Sequence, residues 1–304
     1  MTNQTIDLDK LLATAQLPAL PQSAIRLLEL SQDPENGPLE FAIPIEADPG
    51  LTVQVLKFVN SSYFGFAKEI SSVKLAITMV GVRTIKNFAL WSAVFSLMPN
   101  PKCGPFDLKS LWQDSLRRGL FARALGKQLG LKEAEEPFAA ALLQDMAVPL
   151  LAKELPELYA KLLDKRDGGR VRLSAFERQL FGWTHADAAA MMARQWNLPD
   201  EFIELVKQHP NIKTMLESPK NEPGQLAVAM SSLLPANSDD GWPECVQFDE
   251  YFQRILPAGG PSAVEFLQTV DEEFAEFAPV LKINNPAKSL TESYAEFHEL
   301  QTAT

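Results

Sequence analysis

The sequence predicts an all-α protein, and three observations support this prediction. Apolar residues recur every three to four positions along nearly the whole chain of 304 residues, which is the period of an amphipathic helix. Prolines, glycines, serines and threonines interrupt these runs where helices would begin or end. No sustained alternation of apolar and polar residues lies between hairpin turns, as half-buried β-strands would require.

A first set of predicted helices lies before residue 100. "LPALPQSAIRLLELSQDP" places Pro21 near a first turn and ends at a proline-bearing stop. "DPGLTVQVLKFVNSSYFG" spaces its apolar residues by three or four positions before serines and a glycine end the run. "SSVKLAITMVGVRTIKNFALWSAVFSLMP" predicts two helices, the first capped by Ser72 and the pair hinged at Gly81.

One segment of this first set, "PLEFAIPIEADP", has helical spacing but contains Pro44. A proline removes a backbone donor and clashes with the preceding turn, at a cost of about 3 kcal/mol inside a helix. The sequence therefore predicts either a kink at Pro44 or a helix that begins near it.

A second set of helices begins at about residue 107, after the linking segment "MPNPKCGPFDLK". Its helical segments are "LKSLWQDSLRRGLFARALGKQLG", "EPFAAALLQDMAVPLLAKELPELYAKLLDK", "RLSAFERQLFGWTHADAAAMMARQWNLPDEFIELVKQHP" and "PGQLAVAMSSLLP". Residues 233–262 are rich in proline, glycine and aspartate and predict a long loop. Residues 284–304 predict a short amphipathic helix with a frayed end.

The charge and composition exclude several classes of protein. The formal net charge of −11 argues against general nucleic-acid binding, because that affinity comes largely from neutralising phosphates. Cations at 83–86 and 116–127 alternate with apolar residues, which predicts solvated faces of amphipathic helices. A DNA-binding helix-turn-helix in "KLAITMVGVRTIKNFALWSA" is disfavoured, because Leu75 and its apolar neighbours look like core and leave few polar residues for base edges.

Neither a membrane anchor nor a disulfide framework is predicted. No apolar run reaches the roughly 18 to 20 residues that a membrane-spanning helix needs. The acidic start "MTNQTIDLDKLL" lacks the features of a signal peptide. Cys103 and Cys245 stand far apart and outside any CxxC pattern, so reduced thiols in a cytoplasmic protein are expected.

Several segments are similar to a known bacterial signalling module. The acidic-residue, Asp-Pro, Leu-Thr element at 46–52, and "VNSSYFG" followed by "ISSVKLAITMVGVRTIKN", resemble the N-terminal half of the HDOD domain. The resemblance continues through "LWQDSLRRGLFARALG", "AAALLQDMAVPLL" and "THADAAAMMARQWNLPDEFIELVKQH", and covers roughly residues 17–235. It implies two packed helical bundles at 1–106 and 107–283, the second like the HD-superfamily metal phosphohydrolases, and a tail at 284–304.

The resemblance also locates a degenerate metal site. A working HD centre holds its metal through a His, an adjacent His-Asp pair and a distant Asp. The first His position matches Asp114, and the pair matches Gln144 and Asp145. The side-chain amide of Gln144 is a weak, neutral ligand. The residues after the pair also lack the lysine that could meet a phosphate. We therefore expect no bound metal, no cofactor and no catalytic residue.

Pro149 predicts a helix break just after this pair. It lacks the N–H that would bond to the carbonyl of Asp145, so it should lie in the first turn of the next helix. Asp145 then lies near a helix C-terminus, where a carboxylate needs a donor or a cation. A bond to a neighbouring amide or to an arginine is the structural interpretation, and a bound cation or a ligand contact is the functional one.

Two histidines complete the candidate pocket. Thr184 is a predicted N-cap in front of His185, and His209 ends a helix, where a protonated ring would suit the helix dipole. Capping and ordinary polar packing are the simpler interpretation of both. The functional prediction is a vestigial pocket lined by Asp114, Gln144, Asp145, His185 and His209.

Two functions of different classes follow from these residues. The first is a non-catalytic regulatory module of bacterial signal transduction, whose partners are other signalling or regulatory proteins and whose pocket could take a nucleotide-like ligand. The groove between the two bundles would suit a partner helix. The alternative is a divergent metal-dependent phosphohydrolase acting on nucleotides or cyclic dinucleotides, in which Asp114 and Asp145 hold Mg²⁺ with help from His185 or His209. Nucleic acid and membrane are not expected partners.

Overall fold

The computed structural model describes residues 6–15, 17–132, 134–217, 222–279 and 281–302. All regular elements in these ranges are helices, so the all-α prediction is confirmed. The α-helices are α1 (Leu8–Thr14), α2 (Gln22–Leu30), α3 (Pro38–Glu46), α4 (Pro49–Val59), α5 (Val73–Val80), α6 (Val82–Leu97), α7 (Leu108–Gln128), α8 (Glu135–Leu143), α9 (Val148–Glu154), α10 (Pro156–Asp164), α11 (Leu173–Phe181), α12 (His185–Gln195), α13 (Asp200–Gln208), α14 (Ile212–Glu217), α15 (Pro223–Ser231), α16 (Cys245–Ile255), α17 (Ala263–Phe277) and α18 (Leu290–Thr302). Short 3₁₀ turns lie at Ser62–Phe64 and His209–Asn211.

Helices α2 to α6 pack together as a first bundle, in which α3 contacts α2, α4 and α5. The predicted start signals hold in this region. The Ser72 hydroxyl accepts a hydrogen bond from the Leu75 amide at 3.2 Å and so caps α5. Gly81 joins α5 to α6 with a φ of 92°, a conformation in which a residue with a Cβ would be strained. The hinge at this position is therefore confirmed.

The structure contradicts the prediction of a helix that begins near Pro44. Helix α3 begins at Pro38, because a proline fits the first helical position, and the Gly37 amide donates to the Glu40 carboxylate at 2.9 Å. Pro44 lies in the last turn, and the next backbone bond, from the Ala47 amide to the Ile43 carbonyl, is made at 3.0 Å. The prediction of a helix that begins near Pro44 is therefore wrong.

A second bundle is built around α7, a helix of 21 residues against which α8, α15 and α17 pack. Helix α13 contacts α8, α12 and α15, and so closes the side of the bundle away from α17. The centre of α7 buries Leu116, Leu120 and Phe121 completely. Because α7 is buried on several sides, its polar residues also face the interior.

The arginines of α7 contradict the prediction of a solvated basic face at 116–127. Arg117 and Arg123 are only 3% and 2% exposed. The Arg123 guanidinium pairs with Glu273 at 3.0 Å and lies 4.8 Å from the centre of the Phe138 ring. Partners that are distant in sequence bind these guanidinium groups, and so the alternation of cations and apolar residues does not mark a surface here.

The two bundles touch along α6 and α8, and α17 contacts the 3₁₀ turn of the first set. Phe277 of α17 packs edge-on against Phe58 of α4, with 5.2 Å between ring centres. Residues of α2 face the connection between α12 and α13 across a cleft of about 670 Å³. The domain boundaries at residues 106 and 283 stay predictions.

The sequence predicts that the segment at 233–262 holds a long loop. The structure has irregular chain over 233–244, followed by a helix that the sequence did not predict. Helix α16 occupies Cys245–Ile255 and buries Phe248 and Phe252 against the second bundle. Its apolar residues have helical spacing, but the surrounding prolines and glycines mask that signal. The helix predicted in the tail is α18, and its predicted frayed end includes residues 303 and 304, outside the described residues. None of the described helices has the length and apolar character that crossing a membrane requires.

Candidate functional site

A cavity of about 430 Å³ opens beside α7 and the turn after α8. The 232–244 segment and the start of α12 form its other walls. The structure brings all of the sequence-predicted pocket residues to this cavity: Asp114, Gln144, Asp145, His185 and His209. Their roles differ, because only some of the five side chains meet each other.

The turn that carries Asp145 follows the predicted break. Helix α8 ends at Leu143 and α9 begins at Val148, with Pro149 in its first turn. The Val148 amide donates to the Asp145 carbonyl at 3.0 Å, so the chain turns tightly between the two helices. The predicted helix break is therefore confirmed. It places the Asp145 carboxylate in the wall of the cavity.

Asp145, His185 and His209 converge on one point. The Asp145 Oδ1 atom lies 3.1 Å from the His185 Nε2 atom and 3.7 Å from the His209 Nε2 atom. The two Nε2 atoms are 3.2 Å apart. His185 is the first residue of α12, behind the predicted cap Thr184, and His209 follows the last residue of α13. Helix ends therefore hold all three side chains.

Glu177 and Tyr159 fix the orientation of His185 from behind. The Glu177 carboxylate is fully buried and accepts from the His185 amide at 2.8 Å, from the His185 Nδ1 atom at 2.6 Å and from the Tyr159 hydroxyl at 2.7 Å. Both ring nitrogens of His185 thus face carboxylate oxygens. Carboxylates only accept hydrogen bonds when ionised, so a doubly protonated ring satisfies Glu177 and Asp145 together.

His209 differs from the expectation of a protonated ring at a helix end. Its Nδ1 atom lies 2.7 Å from the Val206 carbonyl, which only accepts, so the proton of a neutral ring is on Nδ1. Burial, and next the charge of His185, hold the pKa of the His209 imidazole well below its usual range. The expected favourable interaction with the helix dipole is therefore outweighed by burial, and the ring is neutral.

Arg118 binds the second oxygen of Asp145. Its guanidinium donates to the Asp145 Oδ2 atom, and both side chains are about one-tenth exposed. Of the interpretations of Asp145 at a helix end, the arginine contact is thus the one that the structure contains. Arg118 thus balances the negative charge of Asp145. The centre of the cavity is therefore a closed network of charges.

Among the described residues, no hydrogen bond joins Asp114 or Gln144 to the cluster of Asp145 and the two histidines. The Asp114 carboxylate nevertheless interacts electrostatically with Arg118. The Asp114 Oδ1 atom accepts from the Asn237 amide at 2.9 Å, which ties α7 to the 232–244 segment. The Gln144 Oε1 atom lies 3.5 Å from the Ser231 hydroxyl, and its Nε2 atom finds no hydrogen-bond partner among the described residues. The positions that match the missing HD histidines therefore do not meet His185 and His209.

The outer wall of the cavity is acidic in balance. Arg166 pairs with Asp239 at 2.7 Å, and Arg172 pairs with Glu244. In all, seven carboxyl groups and three guanidinium groups line the cavity. Sequence reasoning missed these ion pairs, together with Arg118, Glu177 and Tyr159, because their partners lie far apart in the chain. Among these, only Arg118 could have been suggested from sequence, because it lies four residues after Asp114 and so on the same face of a helix.

Replacing Asp114 with asparagine is expected to stabilise the protein at pH 8 and to lose most of this benefit by pH 4.5. Burial raises the pKa of Asp114 from 3.8 to about 6, although Arg118 and Arg117 lower it. A raised acid pKa means that the ionised form is disfavoured in the folded state, so stability falls as pH rises from about 4 to about 6. The full difference is on the order of 3 kcal/mol. Chemical unfolding of both proteins at the two pH values measures it.

Asp107, at the start of the same helix, provides a control because its pKa is shifted in the opposite direction. It caps α7, and its bonds to Ser110 lower its pKa. Asp107→Asn should therefore destabilise the protein at neutral pH, with a difference that shrinks in acid. An Asp114→Asn effect that is the same at both pH values would show that Asp114 does not pay a charge penalty in the fold.

The comparisons with known proteins agree with this architecture. The model of the HDOD domain matches residues 17–212. A protein of Treponema pallidum (strain Nichols), named only as uncharacterized, is 25% identical over 197 residues, a match that covers 64% of this chain and 38% of that protein. The chain therefore spans well under half the length of that relative.

Three solved structures share the fold. A protein of Shewanella amazonensis SB2B, provisionally named a phosphohydrolase, has a TM-score of 0.68 and 19% identity, covering 89% of this chain and 97% of that one. An HDOD domain protein of unknown function from Geobacter sulfurreducens has a TM-score of 0.61 and 19% identity, covering 98% and 95%. A protein of Marinobacter aquaeolei VT8, provisionally named a signal transduction protein, has a TM-score of 0.61 and 18% identity, covering 95% and 61%.

At these identities the solved structures establish the fold alone. The family model, in contrast, spans more than half of the chain, and it includes the α8–α9 turn and both histidines of the cavity. The chain belongs to the HDOD domain family.

Proposed function

We propose that this chain is a non-catalytic signal-transduction module that acts by binding other proteins, and that its HD-type cavity is held by an ion-pair network instead of a catalytic metal centre. One observation carries the proposal. The Arg118 guanidinium lies on Asp145, the one residue of the HD pair that this chain keeps. A fixed cation there neutralises Asp145 but cannot activate a water molecule as a metal ion does.

The charge of the cavity supports a protein partner over a nucleotide-like ligand. Each cavity arginine (Arg118, Arg166 and Arg172) already pairs with a carboxylate. Phosphate groups in the cavity would therefore face the remaining carboxylates without a free guanidinium to bind them. A hydrolase that acts on nucleotides needs an excess of positive charge around the phosphates, supplied by side chains or by metal ions.

The surface of the first bundle offers apolar side chains to a partner. Leu39 and Ile43, one turn apart on α3, are 54% and 64% exposed. Leu75 and Met79, one turn apart on the neighbouring α5, are 44% and 50% exposed. The sequence interpretation of Leu75 as core is therefore wrong. Paired apolar residues on two packed helices are typical of surfaces that bind another protein.

A metal-dependent phosphohydrolase remains the second candidate, because a specific observation favours it. One ligand atom each from Asp145, His185 and His209 lies within 4.8 Å of the others. Glu177 also binds the far nitrogen of His185, as carboxylates do behind metal-bound histidines. This donor set fits a single divalent ion, provided that His185 loses a proton. Such an ion would polarise a phosphoryl oxygen.

Two measurements on one preparation, purified without chelator, test the proposal. We expect no bound metal ion that the Asp145→Ala variant loses, and no hydrolysis of nucleotides or cyclic dinucleotides above the level of that variant, with Mg²⁺, Mn²⁺ or Zn²⁺ added. We expect affinity capture from a bacterial lysate to return one signalling or regulatory protein, and Ile43→Glu to abolish that capture.

Val246→Glu is the matched control for the capture, because Val246 is equally exposed at 61% but lies on α16. It should leave the captured protein unchanged. Turnover that requires Asp145, together with a bound metal ion that Asp145→Ala removes, would overturn the proposal in favour of the phosphohydrolase. If Ile43→Glu still captures the same protein, the α3 surface is not where the partner binds.

A further inference from the structure

A second cluster of metal-binding side chains lies away from the cavity, where the tail packs on α16. Cys245 is the first residue of α16, and Asp249 follows one helical turn later on the same face. His298 belongs to α18 and brings its Nε2 atom to 3.1 Å from the Asp249 Oδ2 atom and 3.9 Å from the Cys245 Sγ atom. One sulfur, one nitrogen and one oxygen donor thus meet between two helices.

We propose that Cys245, Asp249 and His298 bind a zinc-type divalent ion, which fastens the C-terminal helix α18 to α16. Their ligand atoms all lie within 4.8 Å of one another. Bonds of about 2.0 to 2.3 Å to a tetrahedral ion place its ligands roughly 3.3 to 3.6 Å apart. The separations of 3.1 and 3.9 Å from the His298 Nε2 atom therefore need only small adjustments.

The chemistry of the donors selects the ion. A thiolate and an imidazole favour Zn²⁺ or Co²⁺, whereas Mg²⁺ and Ca²⁺ prefer sites made of oxygen alone. Cys245 is buried, and the His298 side chain is 45% exposed, so the fourth position of the ion faces solvent and takes a water molecule. On binding, the Cys245 thiol releases its proton to solvent and the sulfur forms the metal bond.

A neighbouring tyrosine already holds the carboxylate in place. The Tyr294 hydroxyl donates to the Asp249 Oδ1 atom at 2.8 Å, which leaves the Oδ2 atom directed at His298. Tyr294 lies one turn before His298 on α18, so the same helix supplies a ligand and its support. Hydrogen bonding of this kind behind a metal ligand orients the carboxylate before the ion arrives.

The position of the site connects it to the cavity. Cys245 directly follows Glu244, which pairs with Arg172 in the cavity wall. Binding of an ion at Cys245 therefore restrains the same backbone segment that carries Glu244. The inference does not depend on the proposed function, because the site would dock the tail in an enzyme as well.

Titration of chelator-treated full-length protein with Co²⁺ tests the site. We expect visible d–d bands of a tetrahedral ion and a sulfur-to-cobalt charge-transfer band in the near ultraviolet, which only a thiolate ligand produces. Cys245→Ser should abolish the charge-transfer band, and His298→Ala should weaken Co²⁺ binding at least tenfold. Zn²⁺ should displace Co²⁺ and raise the melting temperature of the wild type more than that of His298→Ala.

Two controls assign the signal. Cys103→Ser removes the other cysteine, which is buried beside the Pro156 carbonyl, and should keep the full spectrum. His209→Ala alters only the cavity donors and should keep it too. Absence of a charge-transfer band in the wild type, or its persistence in Cys245→Ser, would overturn the proposal. Circular dichroism on every variant shows that a lost band does not reflect unfolding.

Discussion

Replacing Arg118 with methionine is expected to lower the free energy of unfolding by about 3 to 5 kcal/mol, the usual cost of removing one partner from a buried ion pair. Methionine fills much of the same volume, so the loss reports the missing charge. Without the guanidinium, Asp145 keeps only the His185 contact at 3.1 Å, in surroundings that are about one-tenth exposed. Urea unfolding at pH 7.5 measures the difference.

Mn²⁺ should recover part of this loss in Arg118→Met and change the wild type little. The variant leaves an uncompensated carboxylate beside the two imidazoles, and a divalent ion can take the place of the guanidinium charge. Mn²⁺ is the appropriate probe because it favours oxygen and nitrogen ligands over the Cys245 thiolate. The effect is read as the shift in melting temperature with and without Mn²⁺.

Arg170→Met is the matched control for Arg118→Met. Arg170 pairs with Asp167 at 3.0 Å, but both side chains are more than two-thirds exposed. Its removal should change stability by less than about 0.5 kcal/mol. Equal stability losses in the two variants, or a wild type that Mn²⁺ stabilises as strongly as Arg118→Met, would show that the guanidinium does not occupy the cation position.

Local rules of helix formation predicted much of the fold from sequence. The cap at Ser72, the hinge at Gly81 and the break before Pro149 all depend on residues within four positions of each other. The prediction of a helix start near Pro44 was wrong because the cost of a proline depends on its place in the helix. Here Pro44 lies in the last turn. Helix α16 was not predicted because the flanking prolines and glycines obscure the helical spacing of its apolar residues.

The cavity was predicted only in outline, for a physical reason. The sequence has Asp114 and Gln144 where the HD resemblance implies imidazoles, and it placed Asp145 in one pocket with the two histidines that line the cavity. It did not indicate which of the pocket side chains contact one another. Nor could it reveal Arg118 as the partner of Asp145, because the pairing spans 27 residues and depends on how α7 packs against α8.

The arginines of α7 also show that a sequence pattern does not reveal tertiary partners. A solvated basic face and a buried row of ion pairs have the same pattern of cations and apolar residues. Only the tertiary partners distinguish them, and these are Asp145 for Arg118 and Glu273 for Arg123. A net charge of −11 therefore coexists with arginines that contribute nothing to the surface field.

Replacing Glu177 with alanine is expected to lower the free energy of unfolding by about 3 to 5 kcal/mol, because it leaves buried hydrogen-bond donors without an acceptor. The residue is fully buried, and its carboxylate binds the His185 amide, the His185 ring and the Tyr159 hydroxyl. Tyr159→Phe removes only one of these bonds and should cost about 1 kcal/mol. Urea unfolding of the single variants and of the double variant gives the values.

The double variant shows whether Glu177 is the centre of this network. If the Tyr159 hydroxyl acts only through Glu177, its replacement in the Glu177→Ala background should cost nothing further. Glu29→Ala is the surface control, since Glu29 pairs with Arg26 where both are more than half exposed, and it should cost less than about 0.5 kcal/mol. Additive losses in the double variant would contradict a shared network, and His185 would then be oriented by its helix end alone.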